Sequence, residues 1–141
     1  LIQVFLSINN NKEVIQLPVP PPEYDVESPW KIDQVDGLNQ SLSLIGLRGL
    51  RAIEIKSFFP AADYPFLQNR TMWGMDYVAA IERWRSLRLP LRLVITGTDG
   101  KQRLNMPVVI DEFKYGTERN GDVNFSLHLT EFAMVNTKRK K

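Results

Sequence analysis

Val123-Asn124-Phe125-Ser126-Leu127-His128-Leu129 alternates apolar and polar residues without a break. A period of two over such a run marks a strand with one face on a core and one on solvent. Working back from it, Gly116 to Asp122 contains Asn120-Gly121, the chemistry of a turn. Before the turn, residues 106–115 form a second arm in which Val108 and Ile110 fall out of phase with Phe113 and Tyr115. That slip predicts a bulge near Asp111-Glu112. Further back, Leu91, Leu93 and Ile95 share one side of a strand that turns at Thr98-Asp99-Gly100 into a strand beginning near Gln102. Such short connections demand antiparallel pairing, because parallel neighbours need long crossovers.

Upstream of this meander, residues 76–87 read as the one helix. Tyr77, Val78, Ile81 and Trp84 recur at helical spacing, Asp76 suits the N-terminal end, Arg85 and Arg88 suit the C-terminal end, and Pro90 forbids continuation. In residues 51–58, Ile53, Ile55 and Ser57 share one face and Glu54 and Lys56 the other, predicting a half-buried strand. At the N-terminus, residues 1–8 and 13–19 read as strands joined by Asn9-Asn10-Asn11-Lys12, a cluster that tolerates left-handed backbone. Pro18, Pro20, Pro21 and Pro22 remove donors and fix extended backbone, predicting a spacer or arm that runs along an edge or leaves the sheet. Between Tyr24 and Gly49 the pattern weakens. Ile32, Leu42 and Leu44 suggest short strands around Asp36-Gly37 and Gly46, or a loop ordered by a partner. The expected fold is mainly β (α+β), an antiparallel β-sandwich or split barrel with one helix packed on it.

The chain has 141 residues, 43% of them hydrophobic and 24% charged, enough for one domain with its own core. The expected division is a β domain over residues 1–137 and a basic tail or linker start over 138–141. Lys138, Arg139, Lys140 and Lys141 account for most of the basic character, since residues 1–137 hold fourteen basic against sixteen acidic side chains. A near-neutral body argues against a nucleic-acid-binding stripe. The apolar opening Leu1 to Leu6 is far too short for a membrane span. With no cysteine, the fold holds by packing alone.

Catalytic material is scarce. His128 is the sole histidine and stands on the outward phase of its strand, facing solvent or a subunit neighbour. Asp111 and Glu112 are adjacent, so on a strand they point to opposite faces and do not share a proton. A small hydrolase using Asp111, Glu112 or His128 is the minor alternative. Asp25, Glu27, Asp33 and Asp36 lack the glycine and terminal glutamate of a calcium loop. Gly46-Leu47-Arg48-Gly49 and Gly97-Thr98-Asp99-Gly100 lack phosphate-loop spacing. No cofactor and no metal site is expected.

Ser57-Phe58-Phe59-Pro60-Ala61 with Tyr64-Pro65-Phe66 concentrates aromatics on rigid prolines. It reads either as a loop folded over the core or as an interface anchor. Around it stand other landmarks in order: Asn9-Asn10-Asn11-Lys12-Glu13 before Leu17-Pro18-Val19, Ile81-Glu82-Arg83-Trp84-Arg85, Leu93-Val94-Ile95-Thr96-Gly97-Thr98, Phe113-Lys114-Tyr115-Gly116, and Gly121-Asp122-Val123-Asn124-Phe125-Ser126-Leu127. The series spans nearly the whole chain. It resembles the N-terminal domain of LysM-containing tail and baseplate proteins of contractile phages and PBSX-type defective prophages.

The resemblance implies a tail-tube-like fold and a non-enzymatic structural subunit at the junction of inner tube and central hub. It also implies a ring of the chain with itself, six members being the natural number, with tube and hub or spike proteins as partners. The place implied is the tail of a virion or phage-like particle assembled in the bacterial cytoplasm. The family's LysM module binds peptidoglycan glycans, and none fits after Val135, so wall binding is not expected of this chain. An accessory wall-binding protein acting through such a module is the alternative. Ring subunits need extensions, and residues 18–29 and 116–121 are the expected ones. The candidate contact residues are Pro20, Pro21, Pro22 and Tyr24 on the first, Trp30 just after it, Phe58, Phe59, Tyr64, Phe66 and Trp73 in the aromatic region, and Arg119 and Asn120 at the second.

Overall fold

A computed structural model describes residues 2–36 and 41–133. The strands are β1 (Gln3–Ile8), β2 (Glu13–Gln16), β3 (Val26–Glu27), β4 (Trp30–Asp36), β5 (Ser41–Arg48), β6 (Ala52–Phe59), β7 (Leu91–Thr96), β8 (Gln102–Thr117) and β9 (Val123–Glu131), with one helix α1 (Met75–Ser86) between β6 and β7. Seven strands form one antiparallel sheet in the order β2-β1-β7-β8-β9-β6-β3, and β4 and β5 form a separate two-stranded sheet. This is the expected mainly β, antiparallel, sandwich-like architecture with one packed helix.

One face of the large sheet is buried over most of its area, with Tyr115 near the end of β8 left 44% exposed. Val4 and Leu6 of β1, Leu93 and Ile95 of β7, Met106 and Val108 of β8, Leu127 and Leu129 of β9 and Ile55 of β6 are all fully inaccessible. A twelve-residue helix covers only about 18 Å by 10 Å, less than a sheet of seven strands spaced about 4.8 Å apart. α1 covers part of that face with Tyr77, Val78, Ile81 and Trp84, and Leu17 and Met72 from the connecting segments pack into the same core. The Trp84 indole N–H reaches Glu13 Oε1 at 2.7 Å, and Arg83 donates to the same carboxylate at 2.8 Å and 3.3 Å. Hydrogen bonds from Arg83 and then Trp84 hold the Glu13 carboxyl at about 2. The β1–β2 turn is thus tied to the back of the helix.

The local expectations are met where backbone chemistry dictates them. Asn9, Asn10 and Asn11 all have left-handed φ, of 59°, 58° and 65°. The β8–β9 register slips between Ile110 and Glu112, which is the bulge foreseen from the phase change. α1 ends as foreseen before Pro90, with Arg88 taking the left-handed position at φ 58°.

The proline run is different. Leu17, Pro18 and Pro21 are buried, the Pro18 carbonyl accepts from Gln68 N at 2.8 Å, and the Val19 carbonyl accepts from the Ser57 hydroxyl at 2.6 Å. Prolines cannot donate to a ladder, but their carbonyls still accept. Residues 17–21 therefore strap down the body instead of leaving it. The expected basic tail at Lys138 to Lys141, the end near Val135, the turn at Gly37, and the side chains of Asp33, Asp36, Leu42 and Leu44 lie outside the described residues.

Candidate functional site

What leaves the body is the β4–β5 hairpin. Its strands pair from Trp30↔Arg48 to Asp36↔Ser41, with an irregularity between Trp30 and Ile32 that places one extra residue on β5 near Gly46. Among the described residues it pairs with no strand of the large sheet. Among the described residues its large apolar side chains lie in solvent: Trp30 is 54% exposed, Ile32 65%, Ile45 84% and Leu47 80%. Isolated two-stranded hairpins are marginal in water, and apolar patches beyond a few hundred Å² mark interaction sites. The Trp30 indole N–H is spent within the hairpin, on the Gly46 carbonyl at 2.8 Å, which leaves its ring as contact surface.

The root of the hairpin is rigid. Gly49 N donates to the Pro29 carbonyl at 2.9 Å, and a Cβ on Gly49 would stand 3.0 Å from the Pro29 ring, so a larger residue there would press the ring aside. Beside it Glu131, buried at the end of β9, takes two bonds from Arg48, at 2.8 Å and 3.2 Å. It takes three more from Arg51, from the backbone N at 3.0 Å, Nε at 3.3 Å and Nη2 at 3.2 Å. Hydrogen bonds from Arg48, then Arg51, outweigh burial and hold the Glu131 carboxyl at about 2. One carboxylate thereby fastens both the last residue of β5 and the link to β6 onto the sheet.

The aromatic-proline block divides. Phe59 has no accessible surface and stacks between Tyr77 at 4.6 Å and Phe125 at 4.1 Å, so it is a core residue, correcting its place among the contact candidates. Phe58, on the opposite phase of β6, forms an outer cluster with half-buried Tyr64 and exposed Phe66, whose rings stack at 5.2 Å. Buried Asp122 holds this block by accepting from Ala61 N at 2.8 Å and the Tyr64 hydroxyl at 2.7 Å. Gly121, at φ 94°, leaves only 3.3 Å between a built Cβ and Ala61. The two landmark segments Phe58 to Phe66 and Gly121 to Asp122 are therefore one structural unit.

Other candidates fall into place around these. Pro21 is buried and Pro20 half-buried, which removes Pro21 from the free surface, whereas Pro22 is exposed. Tyr24 packs on the core edge, Trp73 is half-buried, and Trp30 sits on the hairpin. Asn120 donates to and accepts from Asp122, closing a tight turn, so residues 116–121 are no arm; Arg119 is exposed there.

His128 has a partner that the sequence alone conceals. Its Nδ1 lies 2.6 Å from Asp111 Oδ1, while the Thr130 hydroxyl donates to Asp111 Oδ2 at 2.7 Å. An ionised carboxylate only accepts, so Nδ1 carries the proton. The bulge brings Asp111 to that face, and the phase slip was the available signal. The hydrogen bond to Asp111 raises the His128 pKa, against burial and with help from Glu54 and Glu112. For Asp111, bonds from Thr130 and His128 outweigh burial and lower it. A raised histidine pKa adds stability that is complete below about 6.5 and is lost as pH rises through the folded value. Proton NMR titration should find His128 above the ordinary range, and Asp111→Asn should return it there and remove that pH dependence. An unshifted His128 in the parent chain would disprove the pair.

A cleft of about 500 Å³ lies beside it, lined by Glu23, Tyr24, Asp25, Glu27, Glu54 and His128 among others. The hydroxyls of this face do not serve the histidine: Ser126 donates to Glu54 at 2.8 Å and Thr130 to Asp111. No base-activated nucleophile is assembled there. Among the described residues no group of three or more His, Cys, Asp or Glu is placed to hold a metal ion, and no helix is long and apolar enough to cross a membrane.

No protein-family model matches the chain. It is 25% identical over 138 residues to the uncharacterized protein YqbP of Bacillus subtilis (strain 168), covering 95% of this chain and 61% of that protein. The chain thus spans about three-fifths of the length of the curated relative it matches. Among solved structures, the fold is similar to a chain in the tail of an empty gene transfer agent particle with C6 symmetry, at TM-score 0.64 and 11% identity over 96% of this chain and 93% of that one. It is also similar to a chain in the virion of a native gene transfer agent particle, at TM-score 0.60 and 12% identity over 93% and 92%. The antiparallel β fold with one helix is thus one found in tails of phage-like particles.

Proposed function

We propose that this chain is a structural component of the tail of a phage or phage-like contractile particle, working through subunit contacts and not through catalysis. Residues 1–137 serve as its tail domain, copies join in a ring about the tail axis, and the ring joins the inner tube to the hub at the baseplate. The observation that carries this is the β4–β5 hairpin: a clamped extension with four large apolar side chains in solvent makes sense on a protein whose partners cover it. The fold shared with a chain of a gene transfer agent tail of C6 symmetry and with a chain of a gene transfer agent virion supports a cyclic arrangement. The near-neutral body lets like subunits approach without strong repulsion. On this reading the protein resides in the particle, after assembly in the bacterial cytoplasm.

Light scattering on the purified chain should detect a ring-sized species, six copies at about 98 kDa if six is the number, and electron microscopy of purified tails should find it at the tube's baseplate end. A chain that stays monomeric at high concentration and is missing from tails would refute the proposal.

A further inference from the structure

The end of the sheet that carries the hairpin also carries a groove. It lies between the last turn of α1 and the β7–β8 pair, has a volume of about 650 Å³, and is lined by Leu89, Leu91 and Val109 together with Arg88 and the Glu82–Arg85 ion pair, 3.2 Å apart. Leu89 is exposed because Arg88 takes a left-handed conformation and turns the chain out before Pro90. The hairpin and Leu89 of the groove therefore both present apolar side chains to solvent.

We propose that the β4–β5 hairpin of one copy docks in this groove of the next copy, a head-to-tail contact that rests on the assembly role proposed above. Three observations select a second copy as the occupant. The first is area: Trp30, Ile32, Ile45 and Leu47 expose on the order of 500 Å² of apolar surface, well over half of the roughly 800 Å² per partner that stable interfaces bury. Charge is the second. The segment leading into the hairpin carries exposed Glu23, Asp25 and Glu27, and the groove lining carries exposed Arg88. The third is level. Register pairs Leu91 with Val108, Val108 with Glu131 and Ala52 with Thr130, so the hairpin root and the groove sit at the same end of the sheet. Neighbours joined there are related mainly by rotation, and a heterologous contact with rotation and little rise closes into a ring.

The chain has no cysteine, so single thiols can be placed at will. Leu47→Cys and Leu89→Cys replace exposed side chains, and the two variants are mixed and treated with a short bis-maleimide. Mixed 47–89 dimers should dominate, and the double variant should give a ladder ending at the ring size. Leu89→Glu should weaken self-association at least about tenfold, with an unchanged circular dichroism spectrum. Dominant 47–47 or 89–89 products, or an assembled protein that yields no 47–89 product, would overturn the contact while leaving the assembly role intact. Cross-linking of position 47 to a tube protein in whole tails, without 47–89 product, would likewise overturn it. A chain monomeric in solution and absent from tails would remove both.

Discussion

Glu131→Gln is expected to destabilise the domain by about 2 kcal/mol, since hydrogen bonds to an ionised group contribute about 1.5–3 kcal/mol, and to abolish ring formation at concentrations where the parent chain assembles. Glutamine keeps the shape but offers one acceptor oxygen to two guanidinium groups and a backbone N–H. Arg48 then has no fixed partner, and β5 is free to swing about Gly49. The consequence for assembly exceeds the consequence for folding, because a contact made by a preoriented arm loses affinity when the arm must be ordered on binding. Chemical denaturation reads the first effect and light scattering the second. Arg48→Lys separates them, since lysine retains the charge without the two-pronged geometry. An assembly that survives Glu131→Gln unchanged would show that the clamp does not orient the arm.

The same carboxylate predicts how acid acts. Its folded pKa, about 2, lies below the ordinary 4.5. A depressed carboxyl pKa gives stability that is complete above the unfolded value and is lost as pH falls through the folded one. Assembly of the parent chain should therefore fade between about pH 4.5 and pH 2. The His128–Asp111 pair acts at the other end, above pH 6.5, and far less on the arm, since it sits on the sheet's outer face. The two titrations are separable by their windows.

How far the sequence discloses this protein depends on which surface a residue serves. Residues that pack on their own chain are legible: β9 shows its alternation from Val123 to Leu129, the helix its spacing from Tyr77 to Trp84, and the bulge at Asp111 its phase slip. The hairpin is not, because periodicity records burial against the chain's own core. Ile32, Ile45 and Leu47 face away from that core, and the irregularity near Gly46 breaks what alternation remains. The weak pattern between Tyr24 and Gly49, which allows a loop ordered by a partner, and the candidate contact residue Trp30 are the signals that point there. The proline run misleads for the opposite reason. Its missing donors suggest departure from the sheet, while its carbonyls, invisible to any composition argument, bind Gln68 and Ser57.

Phe59→Ala is expected to be the most damaging single change, at about 4 kcal/mol, the middle of the range for truncating a buried aromatic. Ile53 and Ile55 set the inward phase of β6, and continuing that alternation puts Phe59 inside and Phe58 outside. Grouping the aromatics by composition puts both outside, and the packed core decides for phase. The ring lies nearly parallel to Tyr77 and to Phe125, with interplanar angles of 12° and 13°, so it joins helix to sheet at the middle of the core. Removing it opens a cavity between elements that cannot both close in. It also strips the stacking contact that seats the fully buried Tyr77 ring. Against the 5–15 kcal/mol total of ordinary domains, such a loss leaves a protein with little margin, and urea unfolding should show a large fall in midpoint. Phe59→Leu, which refills most of the space, should recover more than half of it. Phe58→Ala should cost less than about 1 kcal/mol, because its ring loses only partial cover on the outer face. Equal losses at 58 and 59 would mean that the two aromatics share one environment, and the inward phase of β6, with the helix seated on it, would be wrong.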